Sequence, residues 1–215
     1  MDKYRLTDIK IEYKGHTLYR IEALKDFGGI IKGTLGGYVE GIHNLSQDGV
    51  CWIANNAKVY DSAKVFEDAK IRDFAKIYGN ARIYGNALVT DHVKIYDNAL
   101  VCGLAWISNN ARIYDLSKIY GEIKINDNII INGNIKIGCN LTIYGDAVIN
   151  NMRDYIVFKN WWSSGRYFIW TRSNDMWSVG RFYGTGKELI KKAYQNNEES
   201  GREYERIVKY VESIK

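Results

Sequence analysis

The sequence predicts a mainly β protein with a solenoid of short parallel strands at its centre. Written in sixes from Asn56, the chain repeats without a slip, and the fourth residue of every block is Val or Ile. The second residue is small or apolar, and the 215 residues contain no proline, where about ten are usual. Ladders that use every backbone N–H group explain that absence. We divide the chain into a cap (1–50), the solenoid (51–150) and an α+β module (151–215).

The first fifty residues predict a β cap that leads into the solenoid. Two alternating segments, IKIEY and TLYRIEAL, flank Lys14 and Gly15, a pair suited to a tight turn. A glycine-rich loop then leads to the first repeat. A cap is required because a bare solenoid end exposes apolar side chains and unpaired strands.

The repeat itself predicts strands and not a helix. Val or Ile occupies the fourth position from Val59 to Ile149, and Ile53 extends the series one step earlier. Six residues make about 1.7 turns of an α-helix, so apolar residues at this spacing would not lie on one face of the helix. Short strands with tight corners fit instead, since residues that tolerate positive φ recur at the block boundaries. These are Asp61, Asp73, Gly79, Asn80, Gly85, Asn86, Asp97, Asn98 and Gly145.

This pattern resembles the hexapeptide-repeat family of left-handed parallel β-helices, over nearly half of the chain. The resemblance implies that three blocks form one triangular coil of eighteen residues. Residues Ile53 to Ile149 then give about five coils, stacked at about 4.8 Å. Proteins of this family are commonly homotrimers, so the resemblance also implies a trimer.

After Asn150 the pattern changes to that of a small α+β module. YIVFKN, RYFIWTRS and MWSVGRFYG predict an antiparallel sheet with a hairpin at residues 173–175. Two helices follow, for which Thr185 with Glu188 and Ser200 with Glu203 have the spacing of capping boxes. An apolar stripe on the second helix consists of Tyr204, Ile207, Val208, Val211 and Ile214.

Composition narrows the functional classes. A net charge of +5, spread along the chain, gives no support for extended nucleic acid as a partner and leaves an anionic small ligand open. The N-terminus is charged and no apolar run reaches eighteen residues, so we expect a cytoplasmic protein and no membrane partner. Cys51, Cys102 and Cys139 have unrelated spacings, which predicts incidental thiols and no metal site.

A second resemblance concerns the order of cap, solenoid and aromatic module. Through GTLGGYVEGIHNLSQDG and WSVGRFYGTGKELIKKAY the chain is similar to phage and prophage proteins of unassigned activity. That likeness implies a phage accessory role in the cytoplasm of the host cell.

The hexapeptide-repeat family also includes acyltransferases that use coenzyme A and a histidine base. His92 is the only histidine within the repeats and would be that base. However, no loop interrupts the count between Ile53 and Ile149, and His92 occupies a corner position that Asn, Asp and Ser fill elsewhere. We therefore expect neither catalysis nor a cofactor, with the acyltransferase as an alternative.

Outward residues eighteen apart are expected to stack on the sides of the solenoid. One side carries aromatic and basic residues suited to an anionic surface, or simply to a solvated sheet. These are Tyr60, Tyr78, Tyr96, Tyr114, Lys58, Lys76, Lys94 and Arg112. Another side carries large apolar residues beside small ones, which predicts the trimer contact. These are Trp52, Leu88 and Trp106.

The module contains the most unusual chemistry. Arginines for phosphate and flat aromatic rings for a base would make a nucleotide site, and Gly184-Thr185-Gly186-Lys187 would offer N–H groups to a phosphate. The candidate residues are Trp161, Trp162, Arg166, Trp170, Arg172, Arg181, Thr185 and Lys187. The same tryptophans also suit the core of a small domain, and the same arginines a protein-binding surface.

We therefore expect a non-enzymatic homotrimer that displays a C-terminal binding module. Its expected role is interference with a bacterial defence system, by sequestering a nucleotide signal or by binding a host defence protein. A structural or assembly component is the remaining alternative.

Overall fold

A computed structural model describes residues 2–215. The chain begins with strands β1 (Tyr4–Tyr13) and β2 (His16–Ala23), an antiparallel hairpin that turns at Lys14 and Gly15 with φ of 52° and 85°. Strand β3 (Leu35–Val39) pairs with β2 in the antiparallel sense and with the solenoid in the parallel sense. The predicted hairpin at Lys14 and Gly15 is confirmed, and it extends one solenoid sheet.

The solenoid is a stack of very short parallel strands. Its strands are β4 (Trp52–Ile53), β5 (Lys58–Val59), β6 (Lys64–Val65), β7 (Lys70–Ile71), β8 (Lys76–Ile77), β9 (Arg82–Ile83), β10 (Leu88–Val89), β11 (Lys94–Ile95), β12 (Leu100–Val101), β13 (Trp106–Ile107), β14 (Arg112–Ile113), β15 (Lys118–Tyr120), β16 (Ile123–Ile125), β17 (Ile130–Ile131), β18 (Lys136–Gly138), β19 (Leu141–Ile143) and β20 (Val148–Ile149). Each pairs with a strand eighteen residues away, as Lys76 pairs with Lys94.

These strands form three sheets, one along each side. The first runs β1-β2-β3-β5-β8-β11-β14-β17-β20, the second β19-β16-β13-β10-β7-β4 and the third β18-β15-β12-β9-β6. The Val or Ile at the fourth position and the residue at the second position of every block are buried in one continuous core, apart from Ser117, which is buried but polar. The mainly β fold with a parallel solenoid is therefore confirmed.

The corner of almost every block is a residue in the left-handed region. The sixth position has φ between 54° and 93° in Asp61, Glu67, Asp73, Gly79, Gly85, Asp91, Asp97, Gly103, Asn109, Asp115, Gly121, Asp127, Gly133 and Gly145. Where this residue is acidic, its carboxylate reaches the next coil. Asp61 accepts the Gly79 N–H at 3.0 Å and Asp127 accepts the Gly145 N–H at 3.0 Å. Glycine adopts the positive φ of the corner readily because it has no Cβ atom. Aspartate at the same position is stabilised by the hydrogen bond from its carboxylate to the next coil.

The solenoid has about six coils, whereas the repeat predicts about five. The additional coil precedes Ile53: Val39 pairs with Val59, and Leu45 bridges to Val65, both twenty residues away. Two additional residues between Leu45 and Ile53 break the period of six, so this coil is invisible to the repeat. A Cβ atom on Gly37 would lie 2.6 Å from the Ala57 carbonyl oxygen, so the coil packs too closely for a larger residue there.

The N-terminal end of the core is closed by two buried polar side chains. The Lys3 ammonium donates to the carbonyl oxygens of Asp48 and Cys51 at 3.1 Å each, and the Tyr4 hydroxyl donates to Leu45 O at 2.7 Å. These bonds satisfy carbonyl groups that the N–H groups of a preceding coil would otherwise meet. Cys51, Cys102 and Cys139 are free thiols.

The C-terminal sheet closes the other end. Its strands β21 (Tyr155–Lys159), β22 (Tyr167–Thr171), β23 (Met176–Val179) and β24 (Phe182–Gly184) lie antiparallel in chain order. Ile169 joins the solenoid core, while Phe168 and Trp170 pack toward the helices. The sheet is thus a layer between the last coil and the helices.

Helices α1 (Gly186–Asn196) and α2 (Glu198–Ser213) cover the outer side of this sheet. The capping box of Thr185 with Glu188 is confirmed, since each side chain accepts the other's backbone N–H. The box predicted at Ser200 is wrong: Asn197 caps α2, and its side chain accepts the Ser200 N–H at 2.8 Å. No helix in residues 2–215 is both long and apolar enough to span a membrane.

Candidate functional site

The tryptophans of the C-terminal module, which include three candidate site residues, are divided between core and surface. Trp170 and Trp177 are almost fully buried with Phe168 against the helices. Trp162 packs edge-on against Tyr204, with ring centroids 4.9 Å apart. In contrast, Trp161 is 69% exposed. Three of these four tryptophans therefore stabilise the module, because a domain of this size has few other side chains that could fill its centre.

Arg172 and the glycine-rich turn are occupied by structural contacts. Arg172 lies against the Trp170 ring and its Nε donates to the Arg153 carbonyl oxygen at 2.9 Å. At the start of α1, the Glu188 carboxylate accepts the N–H and the hydroxyl of Thr185, both at 2.8 Å. These bonds lower the pKa of Glu188. A negative charge thus already lies at the helix start where a phosphate was expected, which argues against Thr185 and Lys187 as a phosphate site.

Two of the predicted arginines meet at a different place. A cleft of about 350 Å³ lies between one edge of the second solenoid sheet and the C-terminal sheet. Arg166 precedes β22, and Arg181 lies with Gly180 in the two-residue turn between β23 and β24. Lys124 projects into the cleft from β16, because its neighbours Ile123 and Ile125 point into the core. Three cations from separate parts of the chain therefore converge.

The charge in this cleft is poorly compensated. Glu122 is the one carboxylate in its lining, and it accepts a hydrogen bond from the Asn140 amide at 2.9 Å. Among the described residues, no carboxylate forms an ion pair with Lys124, Arg166 or Arg181. Unpaired arginines that share a concave surface are suited to a ligand with its own negative charge.

Aromatic rings lie beside these cations. Tyr144 and Tyr167 line the cleft, and Tyr167 is partly exposed. Beyond Lys124, the Trp106 ring lies 5.4 Å from the Lys124 ammonium. The cleft thus combines three cations with flat aromatic surfaces, the two groups that recognise phosphate and base.

The predicted row of tyrosine and basic residues is present on the first sheet, where the strands that carry them pair in register. Tyr60, Tyr78, Tyr96 and Tyr114 stack face to face, with centroids 4.8–5.1 Å apart and ring planes within 6°. Burial and the neighbouring phenols raise the pKa of Tyr96 to about 12. Tyr60 is buried beneath the hairpin, where Tyr13 packs edge-on against it at 5.8 Å. Apart from the outer face of Tyr114, the tyrosine ring faces are therefore used in contacts within the protein.

The side predicted to form the trimer contact is partly covered. Trp52 is only 3% exposed, because the Phe27 ring packs against it at 5.5 Å. Trp52 therefore cannot contact another subunit while this segment is in place. On the same sheet Leu88 is half-buried and Trp106 is 42% exposed.

His92 lies at an exposed corner with its ring stacked on Phe74 at 5.1 Å. Its imidazole nitrogens form no hydrogen bond within residues 2–215, whereas a histidine base is usually oriented by a partner. This placement matches the prediction of a turn residue.

Two sites were missed by sequence reasoning. Lys124 has the same repeat position as many surface lysines, and only the docking of the C-terminal sheet distinguishes it. The second is a cluster of His16, Glu40 and Asp61 whose ligand atoms lie within 4.8 Å of one another. Since the two imidazole nitrogens face one carboxylate each, at 3.1 and 3.5 Å, the cluster is an ionic clamp that fastens the hairpin to the first coil.

Comparison with known proteins adds no further assignment. No protein-family model matches the chain, and no curated protein is significantly similar to it. The geometry of the cleft is therefore the basis for a proposed function.

Proposed function

We propose that the protein is a non-enzymatic binding protein that holds an anionic small molecule of the nucleotide class in the cleft beside the last coils. The observation that carries this proposal is the convergence of Lys124, Arg166 and Arg181 without a carboxylate partner. A volume of about 350 Å³ lies within the range of small-molecule sites.

Each residue has a distinct proposed role. Arg166 and Arg181 would form paired hydrogen bonds with phosphate oxygens, which suit the planar guanidinium group. Lys124 would add a point charge from the solenoid side. Tyr167 would offer its ring to the base, because stacking on an aromatic face tolerates any base. None of these roles requires a nucleophile or a general base.

The biological setting is proposed from the resemblance to phage proteins alone. A protein that retains a nucleotide without converting it would lower the free concentration of a signalling nucleotide and so interfere with a bacterial defence system. The proposed homotrimer would use Leu88 and Trp106, since Trp52 is covered.

The test is a calorimetric titration with mononucleotides and cyclic oligonucleotides, on the wild type and on the double variant Arg166→Ala/Arg181→Ala. We expect the variant to bind at least about a hundredfold more weakly, since it loses two charge-assisted interactions that contribute about 1.5–3 kcal/mol each. The matched control is Arg202→Ala/Arg206→Ala, which removes the same charge from the exposed face of α2. Equal affinity in the wild type and the cleft variant, or no nucleotide binding by the wild type, would contradict the proposal.

A further inference from the structure

A separate basic surface lies on the first sheet of the solenoid. Lys58, Lys76, Lys94 and Arg112 are direct neighbours in register on β5, β8, β11 and β14. Adjacent strands are about 4.8 Å apart, so the backbone positions of these four residues form a row along the sheet. Lys14 adds a fifth charge from the hairpin turn, with its ammonium 5.9 Å from the Tyr78 ring. We call these five residues the basic ladder.

No carboxylate neutralises the basic ladder. None of its members forms an ion pair in the part of the chain that the structure describes. The carboxylates at the nearby corners bind the backbone of the next coil. Asp61 accepts the Gly79 N–H at 3.0 Å, and Asp115 accepts the Gly133 N–H at 2.9 Å. These carboxylates stabilise the backbone of the next coil, so the ladder keeps its charge.

Such a row is unfavourable in the isolated protein. Like charges directly opposite each other on neighbouring strands destabilise a sheet. Burial, and then the neighbouring cations, lower the pKa values of Lys58 and Lys94. An anion that spans several coils would relieve this repulsion, while an isolated monovalent ion would meet only one or two cations.

The surrounding groups narrow the class of anion. The tyrosines beside the ladder stack on one another at about 5 Å, so among their faces only the outer face of Tyr114 remains for a nucleobase. An extended acidic peptide carries its same-side charges about 6.7 Å apart, out of step with a row spaced by about 4.8 Å. A linear polyphosphate carries a charge on every successive phosphorus, at intervals shorter than the spacing of the row, so a phosphate group lies within reach of each cation.

We infer that the basic ladder is a binding surface for a linear polyphosphate chain, which lies across the coils along the row. This inference is independent of the nucleotide cleft, which belongs to the second sheet and the C-terminal module. The lysine ammonium groups and the Arg112 guanidinium contact the phosphate oxygens, and Lys14 contacts the chain from the hairpin side.

The test measures binding of inorganic polyphosphate at several salt concentrations to the full chain and to Lys76→Ala/Lys94→Ala. We expect the affinity of this variant for polyphosphate to fall about tenfold. The negative slope of log affinity against log salt concentration should become less steep by about two. The matched control is Lys118→Ala/Lys136→Ala on the third sheet. That pair has the same register spacing, but Leu100 interrupts its row and no hairpin lysine joins it.

Three outcomes would overturn the inference. The wild type binds no polyphosphate, the control variant loses as much affinity as the ladder variant, or a single-stranded oligonucleotide binds the ladder more tightly than polyphosphate. The variant Arg166→Ala/Arg181→Ala separates this test from that of the cleft, since it is expected to retain polyphosphate binding within about twofold.

Discussion

The solenoid and the C-terminal module bury their apolar residues by different rules. In the solenoid each strand pairs with equivalent strands eighteen residues away, and the residue at the fourth position of every six-residue block points into the core. In the module, Ile169 faces the solenoid while its neighbours Phe168 and Trp170 face the helices. A strand covered on both faces buries consecutive residues, so alternation does not separate core from surface there. The sequence of a repeat therefore indicates which of its residues are buried. The sequence of a strand that lies between two layers does not, because residues on both of its faces are buried.

The largest expected effect comes from the core of the module. Replacing Trp177, which is buried against Phe168 and the helices, by Ala is expected to lower the free energy of unfolding by about 3–5 kcal/mol. Chemical denaturation measures the loss, and hydrogen exchange locates it. Protection should fall in residues 155–211 and persist in β5 to β14, since coils contact mainly their neighbours.

Trp161→Ala is the control for this experiment. Because Trp161 is 69% exposed, its replacement is expected to change stability by less than about 0.5 kcal/mol. Equal losses in the two variants would show that the division of the tryptophans into core and surface is wrong.

An intermediate effect is expected at the corners of the solenoid. Asp127 has φ of 66° and accepts hydrogen bonds from the Gly145 N–H and the Asn109 amide, both at 3.0 Å. Asp127→Ala loses both bonds and keeps a strained backbone, so we expect a loss of about 1–2 kcal/mol in thermal or chemical unfolding. Asp127→Asn should lose less than about 0.5 kcal/mol, because Asn tolerates this conformation and retains an acceptor. A larger loss for Asn than for Ala would contradict this account.

The smallest expected effect is the pH dependence of the hairpin clamp. The hydrogen bond to Glu40 raises the pKa of His16, and the same contact lowers the pKa of Glu40. The contribution of His16 to stability is therefore present below its ordinary pKa near 6.5, and is lost as the pH rises through the raised value in the folded protein. The contribution of Glu40 is present above its ordinary pKa near 4.5, and is lost as the pH falls through its lowered value.

NMR titration of His16 together with hydrogen exchange of β1 and β2 measures this effect. Exchange at the hairpin tip should increase above the raised pKa of His16, and His16→Gln should remove that pH dependence. An unchanged titration in Glu40→Gln would show that the clamp is not formed in solution.

Most of the fold was predictable because the period is local. The inward positions, the hairpin at Lys14 and the capping box at Thr185 each depend on a few neighbouring residues. The additional coil was missed because Val39 and Leu45 lie twenty residues from their partners, outside the period. The second capping box was misplaced because Asn197 and Ser200 are both good caps, and the structure places Ser200 within α2.

The candidate site was predictable only in part. Arg166 and Arg181 were identified by residue type, but their partner Lys124 was not, since 42 residues separate it from Arg166. The sequence determined the solenoid and the ladders on its sides, because a fixed period converts spacing directly into position. Only the tertiary structure decided which tryptophans are buried and which cations converge, because both depend on how the C-terminal sheet docks on the last coils.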